Sequence, residues 1–461
     1  MSSRKPVSEV STPFRDTRSA TSGQMLKRAW IIIFLNFLIP GSVQVVGGNR
    51  RLGRIGIIFT FGFWGFLLLA VLLAAISKVA LFTLLLTPAI AVPLGILLVI
   101  YAVLIALFSL NSLRIMNLYR VGDRARPIAL VAIIISTLVS SFVVGYVGST
   151  TLTATNIISG IFSNSKSLET HKGRYNILLL GGDSGSNRFG LRPDSISVLS
   201  ISADTGATVN IGLPRNLQRI QFTEGTPIHS VYPYGYNHDC GGECMLNGIY
   251  KSTTDNYKNL YPGVKKFGST AGIEATKSAV QWVTGLKIDA YVLINMKSFV
   301  GLVDALGGIN VNVKKALPIG GQEDCYPADN EHESICPDAM GWIEKGKQHM
   351  DGRTALWYAR SRHNTNDYDR MKRQREIENI VLKKIDLQTL LLNFGGIAGA
   401  GSKLITTDIP QSAVPTLMDL AFKAKSKGLK SLQLSYPTIQ ANNPDFWLMR
   451  HLIAEKLREH K

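Results

Sequence analysis

Acidic residues are scarce in the first third of this 461-residue chain. Residues 1–150 hold fourteen Lys or Arg but only Glu9, Asp16 and Asp123, whereas the rest of the chain carries 36 basic and 29 acidic residues. The formal charge of +18 therefore comes mainly from a region rich in long apolar stretches. Positive charge beside apolar segments is typical of membrane proteins, so the sequence indicates a membrane and argues against nucleic acid as a partner.

Several familiar motifs are also missing. The glycine run 181–185 has no G-x-G-x-x-G pattern and no following Lys-Ser/Thr pair, which excludes the usual nucleotide-binding fingerprints. The histidines His229, His238, His332 and His363 lack metal-ligand spacing and are interpreted as surface groups. The start of the chain has no short apolar core followed by a small-residue cleavage site, so no cleaved signal peptide is predicted.

Cysteine is rare, and its placement is informative. The four cysteines, Cys240, Cys244, Cys325 and Cys336, all follow residue 150. Two local pairs, 240–244 and 325–336, would close loops in an oxidising compartment, although four cysteines allow three connectivities and the sequence does not choose among them. Zinc is the alternative, but the C-x3-C and C-x10-C spacings are not the usual ones for zinc ligands.

The apolar residues that are present form four stretches, 29–47, 55–76, 79–110 and 128–148, after a polar tail at 1–28 that is predicted to be disordered and cytoplasmic. The last three stretches are long enough to cross about 30 Å of hydrocarbon. The stretch 79–110 has length to spare for a tilt or a bend at its prolines.

The first stretch is short, is broken by Pro40-Gly41, and has basic residues on both sides. If both basic flanks stay in the cytoplasm, this stretch dips into the membrane and returns without crossing it. Three crossings then place every basic loop inside and everything after about residue 150 outside. A fourth crossing would reverse that orientation. Residues 149–173 are predicted as a linker, and 174–461 as an extracellular domain.

The predicted extracellular domain alternates strands with helices. Apolar runs predict strands at 175–180, 195–202, 209–212, 288–294 and 429–436. Helical spacing predicts helices at 270–283, 297–307, 368–386, 411–424 and 445–458. The polar segments 223–265 and 316–340 are predicted as surface loops. The predicted fold class is N-terminal transmembrane helices followed by an extracellular α/β domain, a mixed sheet layered with helices.

Charged residues stand at the ends of three successive predicted strands: Asp183, then Arg192 and Asp194, then Arg215. An ion pair within the fold explains any one of them. Three such positions in succession favour a binding site for a charged ligand.

A second group of arginines lies far along the chain, in WYARSRHNTNDYDRMKRQR at 357–375. Two residues apart on a predicted strand, Arg360 and Arg362 leave the same face. Arg370, Arg373 and Gln374 share one face of the following helix. Guanidinium groups suit phosphate because their planar fork binds two oxygens at once. Lys372 and Arg375 are predicted to be ordinary surface charge.

These segments resemble the LytR-CpsA-Psr family of bacterial cell-envelope enzymes. The matching blocks are NILLLGGDSG, RPDSISVLSI, IGLPR, INMKSFVGLVDALGGINVNV, and GKQHMDGRTALWYARSR with DYDRMKRQRE, in order between residues 176 and 376. The resemblance covers roughly residues 174–435. The membrane region with PGSVQVVGGNRRLGRIG also resembles actinobacterial members.

The resemblance implies transfer of a glycopolymer, as its sugar phosphate, from a polyprenyl-pyrophosphate carrier to peptidoglycan outside the membrane. It implies that Asp183 and Asp194 hold Mg²⁺ or another divalent cation. The residues implied to hold the pyrophosphate, in addition to those two carboxylates, are Arg192, Arg215, Arg360, Arg362, Asp367, Arg370 and Gln374. Asp183, Asp194, Arg192, Arg360 and Arg362 are the expected catalytic residues. This chain departs from the family at Asn216, where Asp is usual.

The chemistry agrees with this implication, because charge on phosphate oxygens dominates such a barrier and fixed cations stabilise it. Asp183 or Asp194 is a candidate base for the acceptor hydroxyl. Two other functions remain open: hydrolysis of the same pyrophosphates with water as acceptor, and a sensor or assembly factor without chemistry. The oligomeric state is not predicted.

Overall fold

The computed structural model describes residues 20–47, 49–162, 167–182, 192–238, 244–320, 339–361, 367–384 and 405–461. The chain divides into two units, Met1–Thr155 and Asn156–Lys461.

The described elements of the first unit are helical. They are α1 (Ser22–Leu38), α2 (Ser42–Val46), α3 (Arg50–Ile76), α4 (Lys78–Leu86), α5 (Pro88–Met116) and α6 (Ala125–Ile161). Among the described residues, α3, α5 and α6 are long and apolar enough to cross a membrane. They overlap the three stretches predicted to cross.

The predicted stretch 29–47 is two helices with a turn between them. Gly41 has a φ of +101°, and a side chain there would lie 2.6 Å from the Gly56 backbone. Only glycine permits both this conformation and this close approach of α2 to α3. Both helices also bond to α5. Asn36 of α1 donates to Ser109 Oγ (2.7 Å), and Gln44 of α2 donates to the Phe108 carbonyl (2.8 Å). Whether this stretch crosses the membrane stays a prediction.

Two boundaries of this unit differ from the sequence prediction. The stretch 79–110 is divided at Thr87, where α4 ends and α5 begins with Pro88. Proline lacks an N–H but suits the first turn of a helix, which is why α5 starts there. In addition, α6 continues to Ile161, so the first part of the predicted linker 149–173 is helical.

The second unit contains a six-stranded mixed sheet in the order β10-β3-β2-β1-β4-β9. Its strands are β1 (Arg174–Gly182), β2 (Pro193–Ser202), β3 (Thr208–Leu213), β4 (Ala290–Asn295), β9 (Ile405–Thr407) and β10 (Leu429–Gln433). Two small antiparallel pairs stand apart, β5 (Ile309–Val313) with β8 (Gly346–Met350) and β6 (Leu317–Gly320) with β7 (Ala339–Ile343). This arrangement confirms the predicted mixed sheet layered with helices.

The helices of this unit are α7 (Pro227–Val231), α8 (Leu246–Asn256), α9 (Ala271–Thr284), α10 (Met296–Ala305), α11 (Gly352–Arg360), α12 (Asp367–Lys384), α13 (Val414–Lys427) and α14 (Phe446–Glu459). The prediction of a polar surface loop at 223–265 is wrong. That segment contains α7 and α8, and its Tyr232, Tyr236 and Ile249 are buried in the main core. Aromatic residues interleaved with Gly and Asn concealed this apolar contribution.

The sheet alternates as strands require, so its two faces are chemically distinct. Leu178, Val198 and Ile211 face the main apolar core, which helices α8, α9 and α14 cover. The opposite face is apolar near the start of β1, where it packs on α13. Farther along, that face turns polar at Ser197 and Asn210, and there it meets α12.

Candidate functional site

Four strands end at one edge of the sheet. β1 is parallel to β4 and β3 is parallel to β10, while β2 runs antiparallel between β1 and β3. The carboxyl ends of β1, β3, β4 and β10 and the start of β2 therefore share this edge. Ligands of open α/β sheets commonly bind beside the carboxyl ends of strands. Of the strand-end charges predicted from the sequence, Arg192, Asp194 and Arg215 fall here.

Asp194 and Arg215 meet at this edge. The Arg215 Nη1 atom donates to Asp194 Oδ1 at 2.7 Å, and the two side chains are 22% and 26% exposed. Gly181 pairs with Ser195 and Gly182 with Pro193, so Asp194 is the extra residue of a β-bulge. A bulge redirects a side chain out of the regular alternation, which brings this carboxylate to Arg215, the second residue after β3.

Two buried amide oxygens lie beside this ion pair. The Asn247 N–H donates to the Arg215 carbonyl at 2.9 Å. The Oδ1 atoms of Asn216 and Asn247 are buried without a hydrogen-bond partner among the described residues. Such atoms are costly in a folded protein and call for a further partner. Asn216, where the resemblance leads one to expect Asp, thus holds an acceptor oxygen without a partner among the described residues.

Arg375 fixes α12 against the polar part of the sheet. It is 7% exposed and contacts all three neighbouring strands: the Ile196 carbonyl of β2 (3.4 Å), Asn210 Oδ1 of β3 (3.4 Å) and Gln433 Oε1 of β10 (3.3 Å). It also forms an ion pair with Glu378. The prediction that Arg375 is surface charge is wrong, because polar strand residues make this helix face an internal one.

A glycine makes this contact possible. A Cβ at Gly212 would lie 2.5 Å from Arg375 Nη2, so the guanidinium group occupies the space that a side chain on β3 would take. One further pair continues the interface: Glu378 accepts from Ser197 Oγ at 2.6 Å. The IGLPR segment therefore supplies both the space for Arg375 and, three residues later, Arg215.

Two contacts give the direction of α12. Arg375 touches Gln433, the last residue of β10, and the Tyr368 ring lies 5.6 Å from the Tyr436 ring, beyond the end of β10. The helix therefore runs back over the sheet from the edge, and its first turns lie where β3 and β10 end. Arg370 and Gln374 belong to those turns; Arg370 is 2% exposed and Gln374 is half-buried.

Arg360 is the last residue of a helix, α11. The prediction of a strand carrying Arg360 and Arg362 is therefore wrong at Arg360, and Arg362 lies outside the described residues. The Arg360 guanidinium lies over the Trp357 ring, one turn earlier, at 5.6 Å. Trp357 also packs against an apolar cluster, and this packing favours the helix.

Arg373 joins the end of α11 to α12. It is 8% exposed, and its Nε donates to the Tyr358 carbonyl at 2.9 Å while Nη2 donates to the Ser361 carbonyl. Burial lowers the pKa of Arg373, and nearby Tyr358, Asp369 and Glu376 oppose that shift. The last carbonyls of a helix have no N–H partners within that helix. Arg373 donates to carbonyls at the end of α11 and thereby holds the two arginine-bearing helices together.

Arg192 lies just before β2 and is exposed. Burial raises the pKa of Tyr236, and the positive charge of Arg192 partly offsets that effect. Tyr236 is 1% exposed and packs with Tyr232 and Phe222. Arg192 is therefore within electrostatic reach of an aromatic cluster in the segment that follows β3.

Three of the predicted site residues are outside this description. Asp183 and Arg362 fall outside the described residues, and of Asp367 only its place as the first residue of α12 is described. Among the described residues no group of three His, Cys, Asp or Glu could hold a metal ion. Of the four cysteines only Cys244 is described, so the disulfide pairing also stays a prediction.

The structure adds residues that sequence reasoning missed. Arg375 and Gly212 fix α12, and Tyr368 and Tyr436 meet at the edge. Arg375 lies five residues after Arg370, so helical spacing puts it on a different face of α12 from the predicted site residues. Nothing in that spacing showed that this second face is also covered by protein. Only the polar strand residues Ser197 and Asn210, which alternate with apolar neighbours, hinted at a polar partner.

Comparison with known proteins gives a consistent picture. The sequence model of the LytR_cpsA_psr family matches residues 144–461. Biofilm regulatory protein A of Streptococcus mutans is 29% identical over 268 residues, 56% of this chain and 56% of that protein. The polyisoprenyl-teichoic acid–peptidoglycan teichoic acid transferase TagU of Bacillus cereus is 24% identical over 237 residues, 51% of this chain and 60% of that protein.

Among solved structures, that of TagV from B. subtilis is 20% identical, with a TM-score of 0.42, and the match covers 63% of this chain and 98% of that one. The chain spans 56% and 60% of the lengths of the two curated relatives.

Proposed function

Because the chain belongs to the LytR_cpsA_psr family, we propose that it transfers a glycopolymer from a polyprenyl-pyrophosphate carrier to peptidoglycan. The named activity of the TagU relative supports this assignment. The observation that carries it is the sheet edge where the Asp194–Arg215 ion pair lies and where α12, which carries the buried Arg370, begins. Arginines at one such edge suit a substrate with two adjacent phosphates.

In the proposed reaction, an acceptor hydroxyl oxygen bonds to the phosphorus that carries the sugar. The bond from that phosphorus to the bridging oxygen breaks, and polyprenyl phosphate leaves with the electron pair. The hydroxyl proton goes to a base, for which Asp183 and Asp194 are the candidates. The product is a phosphodiester. Fixed cations stabilise the charge that develops on the bridging and non-bridging oxygens, which is the main barrier.

The proposed roles follow from position. Arg215 and Arg370 hold phosphate oxygens from β3 and α12, and Arg360 approaches from the end of α11. The proposed pyrophosphate site is completed by Arg192, Arg362, Asp367 and Gln374. The proposed catalytic residues are Asp183, Asp194, Arg192, Arg360 and Arg362.

A divalent cation is part of the proposal, and the donor chemistry fits it. Asp183 follows Gly182, whose partner across the strands is Pro193, next to Asp194. In the proposal, Asp183 and Asp194 share one ion. Arg215 takes one oxygen of Asp194, which leaves the other for an ion. Mg²⁺ commonly takes one or two carboxylates together with substrate phosphates, and would there neutralise phosphate charge.

The proposal also places the second unit outside the cell, with α3, α5 and α6 crossing the membrane. Disulfides among Cys240, Cys244, Cys325 and Cys336 would suit that compartment. Reporter fusions after residue 461 test the orientation: alkaline phosphatase, active only outside, should be active, and a cytoplasmic reporter should be silent. The reverse pattern would exclude the proposed orientation.

The function is tested with the full chain in liposomes, a labelled polyprenyl-pyrophosphate-linked oligosaccharide, Mg²⁺ and peptidoglycan strands. We expect label to become bound to peptidoglycan, and Arg215→Ala to slow this roughly 10²–10³-fold, as loss of one charge-stabilising donor does. Lys372→Ala is the matched control, because that side chain is on α12 but 65% exposed.

The other outcomes of this experiment would assign a different function or exclude the proposed site. Label released as free sugar phosphate, even with peptidoglycan present, would assign a hydrolase instead. No turnover by the wild type under these conditions, with unchanged wall-bound polymer in Arg215→Ala cells, would favour a sensor or assembly factor. Wild-type transfer by Arg215→Ala would remove the proposed site.

A further inference from the structure

Two tyrosines meet at the edge that holds the charged residues. The Tyr368 and Tyr436 ring centroids are 5.6 Å apart, and the ring planes are tilted by 34°. Tyr436 is 56% exposed. The pair therefore leaves aromatic surface open to a ligand at this edge.

The position of Tyr436 is fixed by strand register. Gln433 of β10 pairs with Gly212 of β3, and the strands are parallel. The pairing continues one step further, because the Leu434 N–H donates to the Gly212 carbonyl at 3.0 Å. Tyr436 and Arg215 each lie three residues beyond that pair, so both emerge from adjacent strands at the same edge.

Tyr368 reaches this edge from the opposite direction. It is the second residue of α12 and lies seven residues before Arg375, which places both on the same side of the helix. Arg375 contacts the end of β10, and Tyr368 contacts the residue three positions further on. The tyrosine pair therefore lies at the edge from which Arg215 emerges.

We propose that Tyr368 and Tyr436 form a stacking platform for the saccharide ring joined to the donor pyrophosphate. The C–H face of a pyranose is apolar and packs on aromatic rings, while its hydroxyls remain in water. A ring attached directly to a phosphate held by Arg215 lies within reach of the tyrosines, because Tyr436 and Arg215 emerge from adjacent strands at this edge. This inference rests on the proposed function and adds the class of group recognised next to the phosphates.

The test measures binding to the full chain in detergent with two synthetic probes. One is geranylgeranyl pyrophosphate, and the other is the same lipid carrying N-acetylglucosamine on its pyrophosphate. For Tyr368→Ala/Tyr436→Ala we expect an unchanged Kd for the first probe and a roughly tenfold weaker Kd for the second, the size expected for two lost aromatic contacts.

Two controls sharpen the result. Tyr368→Phe/Tyr436→Phe keeps both rings, so it should bind like the wild type; binding as weak as that of the Ala variant would show that the hydroxyls matter and would overturn stacking. Phe267→Ala removes a ring that is 50% exposed. Phe267 lies near the start of β4, at the opposite edge of the sheet, since the next residue, Gly268, accepts a hydrogen bond from the hydroxyl of Tyr291 in β4. It should change neither Kd.

The remaining outcomes overturn the platform or the site separately. If the Ala variant weakens both probes equally, or neither, the tyrosines do not recognise sugar. In the transfer assay, the Ala variant could alter only the KM for peptidoglycan strands at saturating donor. The saccharide bound by the two tyrosines would then belong to the acceptor, and the donor assignment would fail. Arg215→Ala should weaken both probes; if it weakens neither, the proposed phosphate site fails, whatever the tyrosines do.

Discussion

The two faces of the central sheet are held by different forces. On one face Leu178, Val198 and Ile211 are fully buried against α8, α9 and α14. On the other, α12 meets the strands through Arg375, Glu378 and short polar side chains. The first contact depends on area removed from water, which is non-directional. The second depends on hydrogen bonds and charge, which are directional.

This difference suits the different tasks of the two faces. Apolar contacts stabilise the sheet and tolerate small shifts of a helix. A buried charged group with specific partners permits only one arrangement, because any shift leaves a charge without compensation. The polar interface therefore fixes where α12 begins, and with it the position of the first turns that carry Arg370. The apolar face supplies stability, and the polar face supplies alignment.

The largest expected effect comes from removing the charge at the polar interface. Arg375→Met keeps the length of the side chain but leaves Glu378, which is only 18% exposed, without its cation. Breaking a buried pair in this way costs about 3–5 kcal/mol. We expect a lower urea midpoint, followed by tryptophan fluorescence of the full chain in detergent, and a loss of polymer transfer even at temperatures where the protein is folded.

Lys372→Met serves as the control for that change, since it is on the same helix but 65% exposed. It should alter neither quantity. If Arg375→Met transfers polymer at the wild-type rate while folded, the polar interface does not align the site and the comparison between the faces fails.

The apolar face should respond differently. Leu178→Ala removes a fully buried side chain from the main core, which costs about 2–5 kcal/mol. We expect the urea midpoint to fall by an amount similar to that for Arg375→Met. In contrast, transfer measured well below the unfolding transition should remain close to wild type. A strong loss of transfer in the folded variant would show that the apolar face also aligns the site.

Much of this architecture followed from sequence pattern. Alternating or continuous apolar runs located β1, β2, β3, β4 and β10, and helical spacing located α9, α10 and α12 within a few residues. These elements are dominated by local periodicity, which is a property of the sequence itself. The segment 223–265 was misjudged because its buried Tyr232 and Tyr236 lie among polar and glycine residues and have no period.

The site was less predictable, for a physical reason. Arg375 and Arg370 look alike in the sequence, yet one contacts strands and the other lies in the first turns beside the edge. Their roles depend on Ser197, Asn210 and Gly212, which are more than 150 residues away in the chain. Similarly, the charge run around Arg360 does not distinguish a strand from a helix; packing of Trp357 decides.

The smallest expected effect tests whether burial, and not polarity alone, gives the polar interface its strength. Asp351 caps α11, the helix that carries Arg360, and accepts from the Thr354 N–H at 2.8 Å while remaining exposed. Asp351→Ala should cost only about 1 kcal/mol, and Asp351→Asn, which can still cap, should cost less. Transfer should be unchanged in both.

The pH dependence separates this exposed cap from the buried Arg375. Hydrogen bonds from the Thr354 side chain and backbone lower the pKa of Asp351 below its ordinary value. The charged cap therefore stabilises the fold above the unfolded pKa of about 3.9, and this contribution disappears as pH falls through the lower folded pKa. Wild type and Asp351→Asn should converge in urea midpoint over that acidic range, whereas Arg375→Met should stay less stable than wild type from pH 5 to 8. A fall in urea midpoint for Asp351→Ala as large as that for Arg375→Met would show that exposed and buried polar contacts contribute alike. The alignment attributed to burial would then need another cause.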